Sequence, residues 1–138
     1  MLFRSLRLVR NSGVSSNTAA DMLARFAADV TTYQSDGILL QLPVYNDVVN
    51  AGYTLAQLTD ASTGLYTQLL AAARATGRWV CLIGPPAFNT GNTAALYQIW
   101  LGAHKWMRNQ ARTLSGVDRK STRLNSSHVS ESRMPSSA

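Results

Sequence analysis

The chain has one cysteine and two histidines, and only seven acidic residues stand against thirteen basic ones. A single thiol, Cys81, excludes an intrachain disulfide and a cysteine-built metal centre. With no clustered histidines or carboxylates, no metal-ligand spacing is present. No run reaches the ~18 apolar residues that a membrane-spanning helix needs. Residues 1–7 (Met-Leu-Phe-Arg-Ser-Leu-Arg) are too broken by arginine to form a signal-peptide core. Charged residues make up 14% of the chain, and the net charge of +6 is scattered. No Lys/Arg cluster interleaves with aromatics, which argues against nucleic-acid binding. A glycine-rich phosphate loop is also missing. What remains is 46% hydrophobic and single-domain in size, an ordinary globular composition.

The hydrophobic pattern predicts strands alternating with helices. Residues 6–10 (Leu-Arg-Leu-Val-Arg) alternate apolar and basic and read as a short strand. Thr18 or Asn17 is placed to cap a helix over residues 18–31, with Asp21 in its first turn. Ala19, Met22, Leu23, Phe26, Ala27 and Val30 share one face of that helix. Residues 37–42 are a continuous apolar run, expected for a parallel strand covered on both faces and ended by Pro43. A stripe through Leu55, Leu58, Ala61, Leu65, Leu69 and Ala72 predicts one helix over residues 54–75, with Gly77 as its left-handed cap. Residues 78–83 form a further strand, closed by Gly84-Pro85-Pro86. A last helix is expected over residues 93–113, on a stripe through Leu96, Ile99, Trp100, Ala103, Met107 and Ala111. Helices between strands imply βαβ units, a parallel sheet and an α/β fold.

Two polar turns follow strand-like runs. One is Asn11-Ser12-Gly13-Val14-Ser15-Ser16-Asn17-Thr18, and the other is Val44-Tyr45-Asn46-Asp47. Ligands of an open α/β sheet bind outside the carboxyl ends of its strands, so both turns point at one site. A backbone N–H from the first and an Asn amide from the second are suited to stabilise an oxyanion.

The order of these turns resembles the SGNH (GDSL-type) hydrolases, serine esterases and lipases on a flavodoxin-like sheet. The first turn, followed by Ala20-Asp21-Met22-Leu23-Ala24-Arg25-Phe26, is similar to that family's second motif block. Val44-Tyr45-Asn46-Asp47 is similar to its third block, usually Gly-x-Asn-Asp, and Gly84-Pro85-Pro86 to a Pro-rich turn after its fourth strand. The resemblance implies a flavodoxin-like three-layer parallel sheet and hydrolysis of carboxylic esters without cofactor or metal. The substrate would be a small-molecule or glycan ester, and the Ser16 N–H and Asn46 Nδ2 would form the oxyanion hole. It also implies that the sheet is incomplete. No Gly-Asp-Ser block precedes residue 6, so the nucleophile and the first, central strand are missing, and no Asp-x-x-His follows residue 114. Ser16 and Val44 stand where the family has glycines, and each adds a side chain at the expected hole.

The expectation is therefore a partial SGNH-like domain over residues 1–117 that is inactive as written and exposes apolar surface. Residues 118–138 are Ser-rich with no apolar period, the pattern of a disordered tail. Residues 118–128 (Asp-Arg-Lys-Ser-Thr-Arg-Leu-Asn-Ser-Ser-His) also resemble the in-frame translation of a sequencing adapter. The alternative function is a non-catalytic carbohydrate-binding or surface/phage-tail assembly module on a hydrolase fold. Of the neighbouring residues, Asp47 reads as structural, fixing its turn or capping the segment after it. Cys81 reads as a small buried hydrophobe in mid-strand, and His104 as a solvent-facing helical residue poorly placed to be a base. Trp100 and Trp106 read as packing residues, and Tyr45 as a pocket wall.

Overall fold

A computed structural model describes residues 7–86 and 93–113. The chain divides into two units, Met1–Ala103 and His104–Ala138. The first is a mixed α/β unit around a two-stranded parallel sheet. Of the second, the description covers the C-terminal half of one helix. Residues 118–138, with their adapter-like stretch, lie outside the described residues, as do residues 1–6 and the polar loop 87–92.

The first helix, α1 (Ala19–Phe26), opens on a capping box. Thr18 Oγ1 accepts the Asp21 N–H at 3.3 Å, and Asp21 Oδ2 accepts the Thr18 N–H at 2.9 Å. The helix runs on into a π-helical turn, Ala27–Thr31, so the expected span is present with a widened end. Strand β1 (Gly37–Gln41) stops before Pro43, as expected. A second π-helical turn, Asn46–Asn50, comes after it.

Next come two helices, α2 (Leu55–Thr59) and α3 (Leu65–Ala75), where the hydrophobic stripe predicts one. The correction has a local cause in residues 60–64, Asp-Ala-Ser-Thr-Gly. Asp60 Oδ1 accepts the N–H groups of Ser62 and Thr63 at 2.9 and 2.8 Å, together with both hydroxyls. That side-chain turn competes with helix continuation. Gly64 completes it, because a Cβ there would lie 2.5–2.6 Å from main-chain atoms of Asp60 and Leu58. Ala61, counted in the stripe, is exposed, whereas Leu58, Tyr66, Leu69, Leu70 and Ala73 are buried. Gly77 takes φ +73° after α3, the left-handed cap expected of it.

Strand β2 (Trp79–Ile83) pairs in parallel with β1, Gly37 opposite Trp79 and Gln41 opposite Ile83. The last helix, α4 (Ala94–Thr113), matches its expected span; Ala103 is buried and Ala111 exposed. The core of the first unit gathers Ile38, Leu40, Leu42, Val44, Leu58, Tyr66 and Leu69. Helix α3 packs against α1, α2 and β2.

Three further sequence expectations fail in this unit. Residues 7–10 form no strand; Leu8 and Val9 are 72% and 53% exposed. Side chains pin this segment instead of a ladder. The Arg10 guanidinium lies 4.6 Å from the centre of the Tyr33 ring, and Ser12 Oγ donates to the Asp29 carbonyl at 3.0 Å. Next, β1 is not covered on both faces: Ile38 and Leu40 are buried while Leu39 is 60% exposed. Cys81 is the third. It is exposed rather than buried, because it shares the uncovered face of β2 with Trp79 and Ile83.

Candidate functional site

The site is built where β1 ends. Pro43 stops the strand, and the chain turns at once into the Asn46–Asn50 π-turn, the Asp47 N–H donating to the Pro43 carbonyl at 3.0 Å. This tight turn aims two consecutive side chains in different directions. Asp47 goes inward and Asn46 goes toward the segment before α1.

Asp47 is fully buried. Its Oδ1 accepts the Ala19 N–H, at the first turn of α1, at 2.8 Å. Its Oδ2 accepts the Tyr66 hydroxyl of α3, also at 2.8 Å. One carboxylate thus ties the end of β1 to two helices and satisfies an otherwise unpaired amide of a helix N-terminus. Burial pushes the Asp47 carboxyl up from its ordinary value, against the pull of the Ala19 N–H and the Tyr66 hydroxyl. Burial, and then the facing Asp47 charge, pushes the Tyr66 phenol far above its ordinary range. Asp47 is structural, as its place in an Asn-Asp turn suggests, but its partners lie 28 and 19 residues away, which no local pattern reveals.

Asn46 is held at both ends of its amide. Its Oδ1 accepts from Asn50 Nδ2 at 3.0 Å, and its Nδ2 donates to the Asn17 carbonyl at 3.0 Å. Only one of the two Nδ2 hydrogens goes to Asn17. The partner segment is a β-turn, with the Asn17 N–H reaching the Val14 carbonyl at 3.4 Å and Ser16 at φ +64°. Positive φ at the third residue alone marks a type II turn, a position that favours glycine. The Ser16 N–H takes no part in that turn's own hydrogen bond. Asn17 is anchored from α1: in the amide orientation that satisfies both partners, its oxygen accepts from Arg25 Nε and Nη2 at 3.2 and 2.9 Å. Arg25 is in turn ion-paired with Asp29 at 2.8 Å.

The two turns singled out in the sequence therefore meet, and they border an open groove of about 610 Å³. Ser16, Asn46 and the half-exposed Tyr45 all line it, as do Pro85 and Pro86 after β2. Ser12, Ser15 and Ser16 are its serines, and no histidine is among its lining residues. Trp100 donates its Nε1–H to the Pro85 and Pro86 carbonyls at 3.3 and 3.1 Å and stacks on Tyr97, a packing role. His104 belongs to the second unit, where it is half-buried rather than solvent-facing. Among the described residues, no three His, Cys, Asp or Glu side chains cluster as a metal site would require. No helix among them is long and apolar enough to cross a membrane.

Set against family models, curated proteins and solved structures, the chain gives no match.

Proposed function

We propose that the chain is part of an SGNH-type serine hydrolase on an incomplete flavodoxin-like sheet, carrying the oxyanion-hole turns of an enzyme that acts on carboxylic esters. One observation supports this reading above the others: Asn46 Nδ2 sits 3.0 Å from the Asn17 carbonyl, which brings the Asn46 amide beside the Ser16 turn at the end of β1. The Ser16 N–H and the second Nδ2 hydrogen of Asn46 are the two donors. They would stabilise the negative oxygen of a tetrahedral intermediate, an interaction worth ~2.7–4 kcal/mol of transition-state stabilisation per donor. Their amides are oriented before any ligand arrives, which keeps the reorganisation cost low. A nucleophilic serine needs a base within hydrogen-bond reach. No histidine is among the groove's lining residues and the lining carboxylate, Asp29, is paired with Arg25, so the chain alone should not turn over an ester.

A small oxyanion tests the donors directly. The full chain should bind methylphosphonate, and Asn46→Ala should weaken that binding at least ~10-fold, about 1.4 kcal/mol. Binding that ignores Asn46→Ala, or no binding at all, would overturn the oxyanion reading. The same chain should hydrolyse 4-nitrophenyl acetate no faster than a buffer blank.

The absence of histidine from the groove lining also favours a second reading, a non-catalytic module that binds carbohydrate or serves a surface or phage-tail assembly. Binding of an acetylated glycan that survives Asn46→Ala would move the assignment there.

A further inference from the structure

An asparagine amide has a donor end and an acceptor end of nearly equal shape, so its use as a donor depends on what holds it the right way round. Asn46 lines the groove, and the two ends of its amide meet different partners. Nδ2 donates to the Asn17 carbonyl at 3.0 Å, and Oδ1 accepts from Asn50 Nδ2 at 3.0 Å. Among the described residues, no other group donates to that oxygen.

Local backbone puts Asn50 in place. The Asn46–Asn50 turn is π-helical and is closed by the Ala51 N–H, which donates to the Asn46 carbonyl at 2.9 Å. Residues four apart on a helical turn are neighbours, so Asn50 stands beside Asn46. The Tyr53 N–H donates to the Asp47 carbonyl at 2.9 Å, which fixes the chain just after Asn50. Turning the Asn46 amide over would set Oδ1 against the Asn17 carbonyl, acceptor against acceptor. An oxyanion at the groove would then meet an acceptor where it needs a donor.

We propose that Asn50 is a positioning residue of this site: by donating to Asn46 Oδ1 it keeps the Asn46 amide turned so that the second Nδ2 hydrogen meets the oxyanion. This role rests on the oxyanion-hole reading proposed above and deepens it. Asn50 is exposed and is not among the groove's lining residues, so it acts through Asn46 and touches no ligand itself. The Asn17 carbonyl holds one end of the amide, and with that bond alone the amide can swing and carry its second hydrogen with it. The Asn50 bond holds the other end and removes that freedom. A donor fixed before the ligand arrives loses little entropy on binding, which is why the contact is felt in affinity.

The probe is methylphosphonate added to the full, isotope-labelled chain, with the Asn46 side-chain amide followed by NMR. Asn50→Leu is neutral and similar in size but carries no donor, and it should weaken binding about threefold or more. Without ligand, the Asn46 Nδ2 proton signals of that variant should move toward those of a free asparagine amide. Asn50→Gln, whose longer side chain still carries a donor, should restore both the affinity and the signals. Because Asn50 is exposed, both variants should unfold close to the parent's urea midpoint, so lost affinity is not lost fold. If parent binding depends on Asn46 but Asn50→Leu leaves it unchanged, the positioning role is overturned and the oxyanion reading stands. Weakened binding that Asn50→Gln fails to restore also overturns that role, since the hydrogen bond is then not the cause. A parent chain that does not bind methylphosphonate overturns the oxyanion reading itself, and the role of Asn50 falls with it.

Discussion

The end of β1 and its edge away from β2 are adjacent and chemically opposite. At the end, Asn46, Asn17, Arg25 and Asp29 form a chain of hydrogen bonds and one ion pair between 2.8 and 3.2 Å, and beside it Asp47 holds Ala19 and Tyr66 at 2.8 Å. Along the edge, β1 pairs with no strand among the described residues. The first arrangement fixes a geometry and the second leaves one to be completed. Buried polar groups stabilise only when all are satisfied. A single strand holds both arrangements because its side chains end in a tight turn while its backbone edge stays bare.

The contrast breaks most severely at Asp47. Truncation by Asp47→Ala removes the buried carboxylate bonded by the Ala19 N–H and the Tyr66 hydroxyl, and each bond to such a charged group is worth about 1.5–3 kcal/mol. Urea unfolding should therefore show a loss of ~3 kcal/mol or more. Tyr66→Phe alone should cost about 1 kcal/mol, and the double variant less than the sum, because the two groups share one bond. Additive losses would show that the clamp is not a unit.

Much of this architecture is legible in the sequence. Thr18 with Asp21 announces the start of α1, Pro43 the end of β1, and Gly77 the end of α3, since each acts through its own local backbone. The uncovered side of the sheet is not legible. Ile38, Leu39 and Leu40 are equally apolar, and whether an apolar strand is covered depends on distant chain. The break between α2 and α3 is within reach, because Asp60-Ala61-Ser62-Thr63-Gly64 is a turn cluster that the helical stripe overruns. Residues 7–10 have a strand's alternation but are held by the Arg10 and Ser12 side chains and join no ladder. For the site, the polar turns are visible at once, whereas the Asp47 clamp depends on Tyr66, in a helix whose apolar stripe runs through Leu65 and Leu69.

Two aspartates extend the comparison to pH, with opposite signs. Asp47 has its carboxyl raised by burial, so between the ordinary aspartate value near 3.8 and its folded value the native state holds more protons than the unfolded one. Its contribution therefore falls as pH rises through that window, and Asp47→Asn should flatten the decline. Asp60 is lowered instead, by the Thr63 and Ser62 N–H groups and then their hydroxyls. Its contribution is complete above 3.8 and is lost as pH falls below that value toward the folded one. Asp21, lowered chiefly by the Thr18 N–H, acts in the same direction. Thermal melts of Asp60→Asn between pH 2 and 6 should show a shallower acid limb than the parent chain. An unchanged limb would mean that the turn of residues 60–64 is not held by ionised Asp60.

The smallest effect sharpens the site itself. Ser16 occupies a left-handed backbone position at φ +64°, is exposed, and follows the equally exposed Ser15. A non-glycine residue in that region costs roughly 1–2 kcal/mol. Glycine removes this strain but adds freedom to the unfolded chain, worth roughly 0.5–1 kcal/mol. The balance predicts that Ser16→Gly stabilises the protein by about 0.5–1 kcal/mol and shifts the urea midpoint upward. Ser16→Ala, which keeps a Cβ at the same φ, should leave stability within a few tenths of a kcal/mol of the parent. If Ser16→Gly destabilised the chain, the Ser16 side chain would itself be holding the turn, and the turn's geometry beside Asn46 would depend on that side chain rather than on the backbone.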